Sequence, residues 1–214
     1  MKVSEIFNSI EGEGKRVGLP STFIRLFGCN LRCSYCDSLY SVDGQDYTEM
    51  SVDDIMEKVG KIGCKNITLT GGEPLIHKDV DDLLIRLALC DYKVNVETNG
   101  TIIPNIRHEN IFYTVDFKTY SSGVSDKMNE AVFACLHEED VIKCVCGSLV
   151  DLSQSLDFLR GMGLQNFSNI YISPVFGQIE PEILVEFVKS HELWNWKVQL
   201  QIHKIIWNPQ ERGV

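Results

Sequence analysis

The chain has 214 residues, 44% hydrophobic and 23% charged, with a formal net charge of −10 at pH 7. That length is enough to bury a stable core without cross-links, and the composition excludes a natively disordered chain. The acidic balance, with no clustered Lys or Arg, excludes a broad nucleic-acid surface, so any nucleotide bound is expected to be small.

No apolar run is long enough to cross a bilayer, and residues 1–7 lack the apolar stretch of a signal peptide. A cytoplasmic chain is therefore expected, with its 8 cysteines acting as thiols or metal ligands. No break in composition divides the chain, and residues 1–214 are expected to form a single domain.

Taken in order, the first informative segment is Glu5-Ile6-Phe7-Asn8-Ser9-Ile10-Glu11-Gly12-Glu13-Gly14. It sets Glu11 and Glu13 among glycines just before the first core strand. By composition alone it is a solvated turn, able to present carboxylates to a polar heterocycle. The apolar run 21–27 predicts a buried strand that leads directly to Cys29. Arg25 lies inside it, an uncommon setting for a surface ion pair and a better one for a ligand contact.

Cys29, Cys33 and Cys36 then form a CxxxCxxC loop. Three thiolates on one short loop can reach three irons of a cubane cluster. A zinc knuckle or a closed cluster would need a fourth ligand, and none stands nearby. Cys64, Cys90, Cys135, Cys144 and Cys146 are read as small hydrophobes, with the Cys144/Cys146 pair leaving a second cluster conceivable.

Ser51 as N-cap and Asp54 in the first turn predict a helix to about residue 62, with Val52, Ile55, Met56, Val59 and Ile62 on one face. A strand at 66–70 ends in Gly71-Gly72-Glu73-Pro74, where glycines admit close approach of a ligand and Glu73 suits an amino-acid group. A helix near 79–90 follows, then strands at 93–97, ending in Glu97-Thr98-Asn99-Gly100, and 111–116, ending in Asp116-Phe117-Lys118. Strands at 140–144 and 169–172, the latter ending in Ser173-Pro174-Val175-Phe176, alternate with helices at 151–162 and 180–190. A last strand is expected at 198–202. This alternation implies right-handed crossovers and a largely parallel α/β sheet: a partial (β/α)6 barrel with its site at the strands' C-terminal ends.

The CxxxCxxC loop with Tyr35 before its last cysteine, followed after one further strand by Gly-Gly-Glu-Pro, resembles the radical S-adenosylmethionine (SAM) superfamily. Segment 5–14 and the C-terminal Gln201-Ile202-His203-Lys204-Ile205-Ile206-Trp207 narrow the resemblance to the 7-carboxy-7-deazaguanine synthases of queuosine and related deazapurine biosynthesis. These are carbon–nitrogen lyases that contract the ring of 6-carboxy-5,6,7,8-tetrahydropterin with loss of ammonia. The resemblance implies a [4Fe–4S] cluster on Cys29, Cys33 and Cys36, SAM on its open iron, and Mg²⁺ at Ser38. SAM contacts are implied at Tyr35, Asp37, Gly72, Glu73, Glu97, Asn99, Asp116, Phe117, Lys118, Ser173, Pro174, Val175 and Phe176. Substrate contacts are implied at Ile10, Glu11, Gly12, Glu13, Arg25, Thr70 and Val214, with the tail from Trp207 onward folding over the pocket. A flavodoxin- or ferredoxin-type reductant and a homodimer are implied as partners.

The chain departs from the family pattern at Ser38, where Thr is familiar, and at Glu11, where Gln is equally familiar. The alternatives are a glycyl-radical activase, which shares the cysteine motif, and a small iron–sulfur electron carrier, which would close its cluster with a fourth ligand and would not need Gly-Gly-Glu-Pro.

Overall fold

The computed structural model describes residues 1–209 and 211–214. Its strands are β1 (Lys2–Ile10), β2 (Pro20–Leu26), β3 (Thr48–Glu49), β4 (Asn66–Gly71), β5 (Lys93–Thr98), β6 (Ile111–Phe117), β7 (Val141–Cys146), β8 (Ile170–Pro174) and β9 (Trp196–Val198). The helices are α1 (Val52–Ile62), α2 (Val80–Leu89), α3 (Glu130–Ala134), α4 (Leu149–Gly161), α5 (Pro181–Ser190) and α6 (His203–Ile206). No helix among the described residues is long and apolar enough to cross a membrane.

Nine strands among the described residues form one open sheet in the order β3-β1-β2-β4-β5-β6-β7-β8-β9. From β2 through β9 every neighbouring pair is parallel, while β1 is antiparallel to both β2 and β3. The expected largely parallel α/β sheet is therefore present, as an unclosed barrel with an antiparallel margin.

Alternation along each strand separates two environments. Val94 and Val96 on β5, Tyr113, Val115 and Phe117 on β6, and Ile142, Cys144 and Cys146 on β7 join the core beneath the helices. The intervening Glu97, Asp116 and Lys143 face a cavity on the other side. Helix α1 shows how local sequence sets this packing. The Ser51 hydroxyl accepts from Asp54 N at 3.2 Å and the Asp54 carboxylate from Ser51 N at 2.8 Å. Gly63 ends the helix with a left-handed φ of 78°, and Ile55 and Val59 are fully buried. Such a cap contributes about 1 kcal/mol.

Three expectations need correction. Segment 5–14 is a turn only beyond Ile10, since residues 2–10 form the strand β1. Most of its side chains are neither fully buried nor exposed, which blurs the alternation that marks a strand. The last strand is Trp196–Val198 rather than 198–202: Gln199 N still donates to Ile172 O at 2.9 Å, its side chain bonds the β1–β2 turn, and the chain beyond it turns away toward Gly12. Cys144 and Cys146 are core residues as read, but Cys90 and Cys135 are exposed and Cys64 is half-buried. Cys90 and Cys135 follow the last turns of α2 and α3, where the chain returns to the surface.

Candidate active site

Beyond Leu26 the chain leaves the sheet as the cysteine loop, whose root is held by its neighbours. Gly28 N donates to Ser41 O at 2.7 Å, Gly72 N to Leu26 O at 3.1 Å, and Glu73 N to Gly28 O at 2.9 Å. A Cβ on Gly71 would lie 2.2 Å from Leu26 O, and one on Gly72 would lie 2.2 Å from Gly28 O and 2.7 Å from Cys29 Cβ. The glycine pair is therefore needed for contact with the cysteine loop itself, beyond the ligand approach expected from sequence.

Glu73 is also placed differently from expectation. It is fully enclosed, accepting from Leu75 N at 3.0 Å, Thr98 Oγ1 at 2.9 Å and Asn99 N at 2.7 Å. Burial pushes its carboxyl up to about 7 against the pull of those bonds. It pins the end of β5 to the end of β4, and its carboxylate does not line the cavity. Asn99, which it orients, donates to Asn30 Oδ1 at 2.9 Å and reaches Cys29 Sγ at 3.7 Å. On the far side Ser34 N donates to Ser122 O at 2.9 Å and Tyr35 OH to Val145 O at 3.4 Å.

Cys29, Cys33 and Cys36 thus face one cavity of about 240 Å³. Burial raises the Cys29 and Cys33 thiols. Leu31 N and the Asn99 amide favour the thiolate at Cys29, as the Lys118 ammonium does at Cys33. Among the described residues no three Cys, His, Asp or Glu side chains gather closely enough to chelate a single ion. Thiols spread around a shared cavity fit separate irons of a cubane, each taking one thiolate.

The cavity wall beyond the cysteines is a charge network. Thr70 Oγ1 donates to Glu97 Oε2 at 3.1 Å. Lys118 Nζ lies 2.8 Å from Asp116 Oδ2, and Lys143 Nζ lies 3.3 Å from both Asp116 Oδ1 and Glu13 Oε2. Ser173 Oγ donates to Glu13 Oε1 at 3.2 Å. Burial opposes the Asp116 charge, but Lys118 and Lys143 outweigh it and hold the carboxyl below its ordinary range. At Glu97 burial wins and raises the carboxyl, helped by Glu13 and Asp116.

The β1–β2 turn enters this wall from the opposite end. Arg16 Nη1 donates to Lys93 O at 2.9 Å, at the start of β5, while Lys15 Nζ reaches Glu139 Oε2 at 2.9 Å, just before β7. The turn therefore spans the N-terminal ends of the parallel strands. Glu11 is almost wholly buried and accepts from the Thr68 hydroxyl, and burial followed by the charge of Glu97 pushes its carboxyl up to about 7. Gly14 N donates to Gln199 Oε1 at 2.8 Å, Gln199 Nε2 to Gly14 O at 3.3 Å, and Ile202 N to Gly12 O at 3.2 Å. A Cβ on Gly12 would lie 2.0 Å from His203 Nδ1. The C-terminal segment is thereby latched to the turn, bridging the gap the open sheet leaves.

Arg25 lines the cavity but already has a partner, with Nε donating to Glu5 Oε1 at 2.7 Å beside Tyr40 OH, which donates to the same oxygen at 2.7 Å. Arg212 lies 3.8 Å over the Tyr40 ring, and Val214 reaches the cavity. Of the tail, Gln210 lies outside the described residues. Asp37 pairs with Lys204 at 3.0 Å, and Ser38 Oγ lies 3.8 Å from Cys36 Sγ.

Most residues singled out from sequence meet at this cavity: Ile10, Glu11, Gly12, Glu13, Arg25, Tyr35, Asp37, Ser38, Thr70, Gly72, Glu97, Asn99, Asp116, Lys118, Val175, Phe176 and Val214 line it. Ser173 joins through Glu13. Phe117 and Pro174 do not, because alternation turns them to the other face, where Phe117 stacks on Phe158 at 4.3 Å. Sequence reasoning passed over Lys143 and the stacked pair Phe7 and Phe23, with centroids 5.1 Å apart. Lys143 carries the same signal as Arg25, a lone cation within an apolar strand.

Residues 23–136 match the radical SAM superfamily. The chain is 43% identical to the 7-carboxy-7-deazaguanine synthase of Clostridium acetobutylicum, over 100% of this chain and 99% of that one. Its fold is similar to the crystal structure of QueE from Escherichia coli, with a TM-score of 0.73 at 23% identity over 93% of this chain and 92% of that chain. It is also similar to Streptococcus suis SuiB bound to S-adenosylmethionine, with a TM-score of 0.58 at 15% identity over 83% of this chain and 51% of that one. The structural likenesses speak for the fold, whereas full-length identity with the Clostridium protein decides the family and sets aside both the activase and the electron carrier. The chain belongs to the 7-carboxy-7-deazaguanine synthase family of the radical SAM superfamily.

Proposed function

We propose that the protein converts 6-carboxy-5,6,7,8-tetrahydropterin to 7-carboxy-7-deazaguanine with loss of ammonia, as a carbon–nitrogen lyase. The observation that carries this reading is a juxtaposition: the Glu11–Glu13 turn, whose sequence resembles the family's, faces the cysteine loop across one cavity. A [4Fe–4S] cluster on Cys29, Cys33 and Cys36, with SAM on its open iron, supplies one-electron cleavage of SAM and hydrogen abstraction from C6 of the pterin when bound.

The chain's own groups divide into two sides. Tyr35, Asp37, Gly72, Glu97, Asn99, Asp116, Lys118, Ser173, Val175 and Phe176 belong to the SAM side. The Asp116 carboxylate, kept ionised by Lys118 and Lys143, is a ready acceptor for hydroxyl or amine donors. Ile10, Glu11, Gly12, Glu13, Arg25, Thr70 and Val214 hold the pterin. Carboxylates at Glu11 and Glu13 accept from its N–H edge, while the Arg25 guanidinium, oriented by Glu5, meets its carboxylate. The latched C-terminal segment excludes water. Ser38 offers Mg²⁺ one hydroxyl, leaving the remaining coordination to water and substrate. Family resemblance supports a flavodoxin- or ferredoxin-type reductant, a homodimer, a single domain and a cytoplasmic setting.

This reading has a pH signature. If the pterin donates to Glu11, it binds the ionised carboxylate, whose pKa of about 7 leaves it increasingly protonated as pH falls. The KM for the pterin should rise by up to about tenfold per unit below pH 7, the limit for one titrating group. In Glu11→Gln that acid limb should disappear. An unchanged pH profile in the variant would remove Glu11 from substrate recognition. The same shift acts on stability: between the ordinary and the raised pKa the folded chain keeps a proton the unfolded chain has lost, so stability falls as pH rises through that window. Glu73 acts in the same direction.

A further inference from the structure

Lys143 sits in the middle of β7 with its side chain almost fully buried, on the cavity face between Val141 and Val145. Its ammonium stands 3.3 Å from Glu13 on the β1–β2 turn and 3.3 Å from Asp116 on β6. It is thus the bridge between the two sides of the cavity. The two carboxylates depend on it unequally. Asp116 has a second ammonium, Lys118, at 2.8 Å. Glu13 has the Ser173 hydroxyl at 3.2 Å and, among the described residues, no other ion pair. The turn carrying Glu13 is otherwise held by backbone and Gln199 contacts and by Glu11, Lys15 and Arg16, which fix the main chain and leave the Glu13 carboxylate's direction open.

We propose that Lys143 is a positioning residue, whose ammonium aims the Glu13 carboxylate into the cavity and so sets affinity for the pterin rather than for SAM. The inference rests on the reading of Glu13 as a substrate ligand. A buried carboxylate that loses its cation turns toward whatever donor remains, here the Ser173 hydroxyl, and stops accepting from the substrate. Asp116, still paired with Lys118, keeps its charge.

The test is equilibrium dialysis of the anaerobic holoenzyme against 6-carboxytetrahydropterin and, separately, against SAM. Lys143→Met should weaken pterin binding by roughly thirtyfold or more, the consequence of removing one partner of a buried charge pair. SAM binding should stay within about twofold, because Asp116, the SAM-side group that loses Lys143, keeps the Lys118 ammonium at 2.8 Å. The double variant Lys143→Met/Glu13→Gln should bind the pterin better than Lys143→Met alone, because no unpaired charge remains. Unchanged pterin affinity in Lys143→Met overturns the inference, as does an equal loss for both ligands with a lowered melting temperature, which would make Lys143 merely structural. Failure of the unsubstituted enzyme to bind the pterin overturns the substrate reading, and this inference with it.

Discussion

Replacing Gly72 with alanine should leave a folded chain that no longer holds its iron–sulfur cluster. The added Cβ would lie 2.2 Å from Gly28 O and 2.7 Å from Cys29 Cβ, and a backbone carbonyl cannot rotate aside as a side-chain tip can. The loop root must shift, straining the Glu73 N to Gly28 O bond at 2.9 Å and displacing Cys29. Gly72 has no left-handed φ, so the substitution tests the clash without a conformational penalty. Overpacking of this kind costs about 1–3 kcal/mol, and a chain of this size loses roughly 2–4 °C of Tm per kcal/mol. Iron retention after reconstitution should fall well beyond the roughly 10–100-fold typical of outer-shell changes at metal sites, because a ligand itself moves. Thermal melting of the unloaded chain and iron per chain after desalting measure the two effects separately. Normal iron content in Gly72→Ala would show that the loop root does not need this contact.

Substitution within the loop should be more severe and should not be shared by the other cysteines. Cys33→Ser is expected to lose the cluster and all SAM-dependent turnover, since the remaining two thiolates of the motif cannot hold a cubane. Cys144→Ala should keep both, despite some destabilisation from the small cavity it leaves in the core. Cys90→Ser, at an exposed position, should change stability by no more than about 0.5 kcal/mol. Iron and sulfide analysis of the three variants distinguishes one cluster from two. Loss of half the iron in Cys144→Ala would restore the second cluster that the Cys144/Cys146 spacing suggested.

What could be read from sequence was what is encoded locally. The cap of α1 lies in Ser51 and Asp54, the parallel sheet in the alternation of short apolar runs with helical ones, and the cysteine loop in its own spacing. Strand β1 is hidden because its polar Glu5, Asn8 and Ser9 pair with β2 alone, β3 reaching only Lys2 and Val3, on a margin where neither face is fully buried. The inward positions of Glu11 and Glu13 depend on the turn passing across the strand entrances, and that path is set by Lys93, Glu139 and Gln199, all distant in the chain. The motif of Glu73 adjoins the site and by sequence points to a ligand. Its enclosure is visible only once Thr98 and Asn99 are brought against it. Phe117 and Pro174 share strand-end segments with cavity residues, but the period-2 rule turns alternate members of such a segment away from the cavity.

The most direct measurement of the central claim is product analysis. The anaerobically reconstituted and reduced enzyme is incubated with SAM, Mg²⁺ and 6-carboxy-5,6,7,8-tetrahydropterin, and the mixture is analysed by mass spectrometry. Formation of 7-carboxy-7-deazaguanine that requires SAM and is absent from Cys33→Ser is the predicted result. SAM cleavage to 5′-deoxyadenosine with the pterin left intact, by enzyme with a verified four-iron cluster, would contradict the proposed substrate.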